Sequence, residues 1–306
     1  MYSRIYFLLI FPLVLQLLCC TKGELCGQEL LQKSLLWEIS NQNRVEKSYL
    51  YGTIHVQDQR VFAFGDSVMI CFEHCQQYAG EIVTENMDAK AFAPQLLLPK
   101  GQSLKELIGK KYFKKIKIHL RQHRMGIYGL VINKMKPFMV MALLSQANLP
   151  KEKSLVLDDY LQQMARKKNM QVVGLESVAE QMDAVNKIPL DKQVTMLKMT
   201  IDSLSNSKQA IDHGYEDMLK IYLDQDIEQL QAFAESDDDG LSTEFVTHVL
   251  LDRNNRMAER IVDLIKIKRT FVGVGAAHLA GKAGIIALLK LKGYTLRPIA
   301  VTFLKQ

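Results

Sequence analysis

Period-two runs rich in β-branched and aromatic residues stand near both ends of the chain, and helical periodicity fills most of what lies between. Trp37 to Ser40 and Tyr49 to Val56 read as two strands around the turn-rich "NQNRVEK". Ser67 to Gln77 reads as a helix, and "YAGEIV" after it as a short buried strand carrying Glu81. From Asp88 to Lys168 the pattern is almost wholly helical, interrupted at Pro99-Lys100-Gly101, Pro137 and Pro150. "MQVVGLE", Met170 to Glu176, is another strand. Helical spacing returns from Val178 to about Glu235, with Pro189 opening a new helix, and again from about Ser242 to Lys266 behind the capping run "SDDDG". "RTFVGVGAAHLAG" is a strand and glycine-rich turn leading into a helix over Lys282 to Lys290, and "GYTLRPI" is the last strand.

Strand-helix units at both ends with a helical section between them predict an α/β fold. Its central sheet is built from N- and C-terminal strand-helix units, with a mainly helical central insertion over about 88–168 and 178–266. With 306 residues and 48% hydrophobic composition the chain has enough apolar surface for a sizeable core, and 21–306 is expected to form one α/β domain.

The first 20 residues are set apart. Arg4 precedes a nearly unbroken apolar run, Ile5 to Leu18, shorter than the roughly 20 residues a spanning helix requires. A secretory signal is the better reading, and the run ends in Leu17-Leu18-Cys19-Cys20-Thr21-Lys22, like a bacterial lipoprotein signal with Cys20 as the acylated residue. Cys19 before it is irregular, since a smaller residue is usual there. The expectation is export, to the periplasm or to a lipid anchor on the cell envelope through Cys20, with an uncleaved N-terminal anchor as the alternative. Five cysteines make no disulfide scaffold at this length, and Cys71 and Cys75, at i,i+4 on one helix, read as buried thiols.

The net charge of +6 draws heavily on "KKYFKKIKIHLRQHR", Lys110 to Arg124, where Tyr112, Ile116 and Leu120 form an apolar stripe among lysines. A solvated helix face explains this, and contact with an acidic or membrane surface comes second. Nothing resembles a nucleic-acid module, a Gly-x-Ser-x-Gly elbow or a phosphate-cradling loop.

The chemistry concentrates in a repeated spacing. Gly52-Thr53-Ile54-His55 and Gly275-Ala276-Ala277-His278 are both Gly-x-x-His after an apolar strand, where composition alone would give fewer than one such match. Residues just past the carboxyl ends of strands in an open α/β sheet line the ligand crevice. The glycines let backbone turn sharply and approach a ligand, so Gly52 and Gly275 are candidate substrate-binding positions.

Together with the intervening segments, these motifs resemble the TraB/GumN family, which includes the Tiki proteins. The match runs from about Leu30 to Phe303 and includes "YLYGTIHV", the glutamate of "YAGEIV", "LLLPKGQSLKELI", "MKPFMVMALL", "LDDYLQQMARKKNMQVVGLESVAEQ", "LLDRNNRMAERI" and "FVGVGAAHLAGKAGIIALLKLKGY". The resemblance implies an α/β fold like that of erythromycin esterase and haem-binding ChaN-like proteins and, for Tiki relatives, metal-dependent peptidase activity. "GEIV" stands where Glu-Leu-Asp is usual, removing a second carboxylate after Glu81, and Met257 stands where an aromatic is common.

Two imidazoles and one carboxylate form a three-ligand site that leaves a position open for water, as a catalytic divalent ion needs. His55, Glu81 and His278 are the candidate ligands for Mn, Co or Zn. A hydrogen-bonded structural histidine, and an ion pair between Glu81 and Arg253, are the plainer readings. Arg253-Asn254 are catalytic candidates, the guanidinium as orienter or oxyanion stabiliser, or as a structural salt bridge. Glu176 is a candidate general base or a first-turn helix carboxylate, with Glu180 and Gln181 near it. Asp158 in "LDDYL" is explained by a helix cap. His119 and His123 read as solvated, and Cys71, His74 and Cys75 as core rather than zinc ligands.

The function these readings favour is a metal-dependent hydrolase of the cell envelope, a peptidase with a peptide or protein substrate. The alternative is a non-catalytic binding protein that captures a peptide signal or haem.

Overall fold

The computed structural model describes residues 33–42, 44–83, 93–206, 208–235 and 242–304. The apolar leader with Cys19, Cys20 and Cys26, the "SDDDG" cap and the start of the first helical section near Asp88 lie outside them.

A six-stranded mixed sheet organises the described residues: β1 (Leu36–Asn41), β2 (Arg44–Thr53), β3 (Gln77–Gly80), β4 (Gln171–Gly174), β5 (Thr270–Gly275) and β6 (Thr295–Ile299). Their order is β4-β3-β5-β2-β1-β6. β2, β5, β3 and β4 run parallel, while β1 is antiparallel to both β2 and β6. All six predicted strands are present, and the α/β class with sheet strands from both termini holds. The differences lie at the ends of strands. β2 starts at Arg44, because β1 and β2 pair through Asn41↔Arg44 and so absorb most of the expected turn into the ladder. β3 stops at Gly80, so Glu81 stands just past the strand's carboxyl end, its carbonyl accepting from Glu176 N–H at 2.7 Å.

The helices follow the proline and glycine punctuation. They are α1 (Asp66–Glu73), α2 (Leu104–Ile108), α3 (Lys110–Gln122), α4 (Pro137–Asn148), α5 (Leu157–Lys167), α6 (Val178–Asn186), α7 (Leu190–Asn206), α8 (Lys208–Leu223) and α9 (Ile227–Glu235). Pro137 takes the first position of α4, where its missing N–H costs no helical hydrogen bond. The long C-terminal helix is three pieces: α10 (Ser242–Phe245), a π-helical stretch Val246–Leu251, and α11 (Asp252–Ile267). The last helix, α12, spans Ile285–Leu291.

Two apolar clusters carry the packing. One joins Leu50, Tyr51, Phe72, Tyr78, Phe271 and Val274 of the sheet and its flanks to Leu161, Tyr222, Met257 and Ile261. The other is helical, with Leu104, Ile116, Leu120, Phe138, Val140, Leu144, Leu197 and Val249. Ile116 and Leu120 are the buried edge of the basic helix α3, as its stripe predicts, whereas Ile118 is exposed. Cys71 and Cys75 are free and buried. His119 and His123 differ from their expected solvated state: their rings stack with centroids 4.5 Å apart, and His119 lies against Asn148. Burial and the neighbouring His123 push His119 down to about 4, so it is neutral at pH 7.

Candidate metal centre

Four parallel strands end at one edge of the sheet, and each releases a candidate residue there. The register pairs Gly52 with Val274, Thr53 with Gly275, and Gly80 with both Gly273 and Gly174. His55 follows β2, Glu81 follows β3, Glu176 follows β4, and His278 follows β5. The ends of four parallel strands thus converge where an open α/β sheet places its ligand crevice.

Each imidazole is anchored through Nδ1. His55 Nδ1 lies 2.5 Å from Asp158 Oδ2, and Asp158 Oδ1 accepts a 2.5 Å bond from the Thr53 hydroxyl. His278 Nδ1 donates to Asn254 Oδ1 at 2.6 Å, the direction being set because Asn254 Nδ2 is already donating to Ala283 O. His278 Nε2 lies 3.9 Å from Glu81 Oε1. An oxygen acceptor on the far nitrogen is what orients histidines at metal centres.

Glu81 is almost fully enclosed by donors. Its Oε1 accepts from the Gly275 N–H at 2.8 Å, and its Oε2 accepts from Arg253 Nη2 at 2.5 Å and Gln181 Nε2 at 3.3 Å. Burial alone would raise its carboxyl, but Arg253, then His278 and His55, hold it well below the usual carboxylate range. The two imidazoles diverge. For His55 burial opposes the charge, yet the Asp158 carboxylate overrides it and the group rises to about 9. Burial, and then Arg253, bring His278 down to about 4.

Arg253 is only 1% exposed, and its donors meet protein acceptors: Nε bonds Glu176 Oε2 at 2.7 Å, Nη2 bonds Glu81, and Nη1 bonds Val249 O within the π-helical stretch. Arg256 takes the other Glu176 oxygen at 2.8 Å. Glu176 is therefore the counter-ion of two arginines, and the start of α6 is capped instead by Ser177 and Glu180 in a reciprocal capping box. Arg253 in turn is the ion-pair partner of Glu81, the plainer of its two expected roles.

Gly52 and Gly275 serve packing at this edge. A Cβ on Gly52 would sit 2.8 Å from Leu279 and 3.1 Å from Ala276, so the glycine lets β2 press against the turn that carries His278. A Cβ on Gly275 would stand 3.3 Å from Glu81 Oε1. Gly52 is buried, and Gly275 meets Glu81 directly.

Several residues of this centre are not prominent in the sequence. A small cleft is lined by His55, Tyr78, Gly80, Glu81, Ile82, Asp158, Asp159 and Gln162. Asp158, expected as a cap, is in the first turn of α5 with its side chain turned to His55 and Thr53; the cap residue is Val156. Burial raises its neighbour Asp159 to about 6. The Tyr78 hydroxyl is buried with no hydrogen-bond partner among the described residues, and it fits only because residue 273 is glycine.

The family's sequence model matches residues 35–298, described as the TraB/PrgY/gumN family. The chain belongs to that family. Among curated relatives it is similar to Metalloprotease TIKI2 of Xenopus tropicalis, 25% identical over 94% of this chain and 68% of that protein. It is also similar to Metalloprotease TIKI1 of Danio rerio, 26% identical over 85% of this chain and 62% of that protein. An uncharacterised protein of Treponema pallidum is 22% identical over 94% of this chain and 90% of its own length. The chain thus spans between 60% and 68% of the length of these TIKI relatives. No solved structure matches it.

The TIKI names imply a metal, and the donor chemistry fits a divalent ion. Two imidazoles are oxygen-anchored at Nδ1, and an ionised carboxylate lies beside His278. Among the described residues, however, no group of three His, Cys, Asp or Glu side chains is drawn together tightly enough to cage an ion. In this TraB/PrgY/gumN chain Glu81 is bonded to Arg253 and Gly275 instead.

Proposed function

We propose that this chain is a metal-dependent hydrolase that cleaves peptide bonds, with His55, Glu81 and His278 as the ligands of a divalent ion. The observation that carries the reading is the shared anchoring of both imidazoles through Nδ1, by Asp158 and Asn254, which leaves both Nε2 atoms for a common guest beside Glu81. The metalloprotease names of the TIKI relatives support it.

A bound Mn²⁺, Co²⁺ or Zn²⁺ would supply an acidified water and polarise the scissile carbonyl. The chain's own residues do the rest. His278 presents a neutral Nε2 because it is buried beside Arg253. His55 carries a proton that leaves when Nε2 is engaged, while the proton on Nδ1 stays on the ring, facing Asp158. Asp159, at about 6, is placed in the cleft to hold or release a proton near neutral pH. Arg253, itself held by Glu176, fixes the carboxylate of Glu81.

The test is peptide cleavage by protein stripped of metal and then given Mn²⁺, Co²⁺ or Zn²⁺. Activity should return with at least one ion in the wild type and with none in His55→Ala. Failure with all three ions in the wild type would end the proposal.

The ion pair between Glu81 and Arg253 favours a second reading, a non-catalytic protein that captures a peptide or haem in the same cleft. A Soret band in the purified protein, or peptide binding weakened in His278→Ala without turnover, would support it. We place either activity at the bacterial cell envelope, with export through the apolar run Ile5 to Leu18 and attachment through Cys20.

A further inference from the structure

Residues 110–136 contain nine lysines and arginines and no Asp or Glu, more positive charge than the +6 net of the whole chain. α3 supplies Lys110, Lys111, Lys114, Lys115, Lys117 and Arg121 of these, and Lys115 is spent on an ion pair with Asp202. After α3 the chain runs through two short 3-10 turns, Gly126–Leu130 and Ile132–Lys134, before α4. The first lies against the basic helix: a Cβ on Gly126 would stand 3.6 Å from the Arg121 side chain, and one on Gly129 3.7 Å from that of Lys117. Within the first turn and just after it, large aliphatic side chains are exposed. Ile127 is 74% exposed, Leu130 83% and Val131 49%.

Isolated exposed aliphatics are ordinary, but three within five residues, beside a basic helix without a single carboxylate, are not. We propose that this face docks on an anionic phospholipid bilayer, with Ile127, Leu130 and Val131 entering the headgroup boundary and Lys117, Arg121, Arg124 and Lys134 held against lipid phosphates. The charge complementarity and the projecting aliphatic tips suit a bilayer surface, where basic side chains and shallow apolar insertion act together. No described helix is long and apolar enough to cross a membrane.

The test uses the full chain carrying Leu130→Trp. The natural Trp37 is 2% exposed within the sheet and stays silent as a background. Vesicles of phosphatidylcholine alone, or with phosphatidylglycerol added, carry brominated acyl chains as quenchers. The new tryptophan should shift to the blue and be quenched on the anionic vesicles and not on the neutral ones. Because the readout is local, binding through the apolar N-terminal run does not imitate it. Adding Lys117→Gln and Arg121→Gln should raise the lipid concentration for half-maximal quenching about thirtyfold, from ~1 kcal/mol per basic residue at an anionic surface. Ile127→Trp repeats the measurement at a second exposed position, and far-UV circular dichroism confirms that each variant folds. Four results would overturn the proposal: no quenching on anionic vesicles, equal quenching on neutral ones, indifference to the charge changes, or an equal shift with soluble polyglutamate, which would assign the face to an acidic protein.

Discussion

His55 and His278 sit on opposite sides of the ordinary histidine value, about 9 against about 4, and this has a consequence for stability. A histidine raised on folding stabilises the fold below the unfolded value of about 6.5, and that contribution fades as pH rises toward about 9. A histidine lowered on folding stabilises it above about 6.5, and that contribution fades as pH falls toward about 4. The metal-free protein should therefore melt highest near pH 6.5 from these two groups. His55→Gln should flatten the alkaline side of the melting curve against pH, and His278→Gln the acid side. Unchanged limbs in both variants would mean that the imidazoles do not sit in the environments described. A narrower test concerns the anchor. Asp158→Asn should bring the His55 value down from about 9 toward or below the ordinary range, read by NMR titration of the ring protons. No change would remove Asp158 as its orienting partner.

At the scale of elements, Gly52 separates a packing role from a ligand role. Gly52→Ala forces a methyl against Leu279 and Ala276 and should cost about 1–3 kcal/mol by chemical denaturation, as overpacked cores do. A neutral result would leave Gly52 free for a ligand. The strands were legible in the sequence because β-branched and aromatic runs such as Tyr49 to Tyr51 and Phe271 to Val274 pack on both faces of a parallel sheet, and no competing helical period overlies them. The two Gly-x-x-His segments were legible for the same reason: each lies past the end of such a run. Asp158 was not, since a carboxylate opening a helix is already accounted for by the helix dipole, and nothing local reveals that His55 approaches it from 103 residues earlier. Glu176 reads as a first-turn residue for the same reason, and its two arginine partners come from α11, some 80 positions away. The π-helical stretch before Arg253 has no sequence signature, and the Arg253 guanidinium bonds one of its carbonyls, Val249 O.

At the scale of the molecule, Arg253 ties three parts of the structure together: the end of β3 through Glu81, the end of β4 through Glu176, and the long C-terminal helix on which it stands. Removing one member of a buried ion network strands the others, so Arg253→Leu should destabilise the fold by about 3–5 kcal/mol. Adding Glu81→Gln and Glu176→Gln to that variant should recover part of the loss, because the abandoned charges are then gone. A loss below about 1 kcal/mol for Arg253→Leu alone would show that the network is solvated rather than buried.

The site lies where four parallel strands of one sheet end, and its proposed ion would join residues from positions 55, 81 and 278. Titration of the metal-free protein with Co²⁺, followed by its visible absorption, tests that most directly. One equivalent should give a saturable band in the wild type that is lost in both His55→Ala and His278→Ala. No band in the wild type, or the same band in both variants, would contradict a shared metal centre.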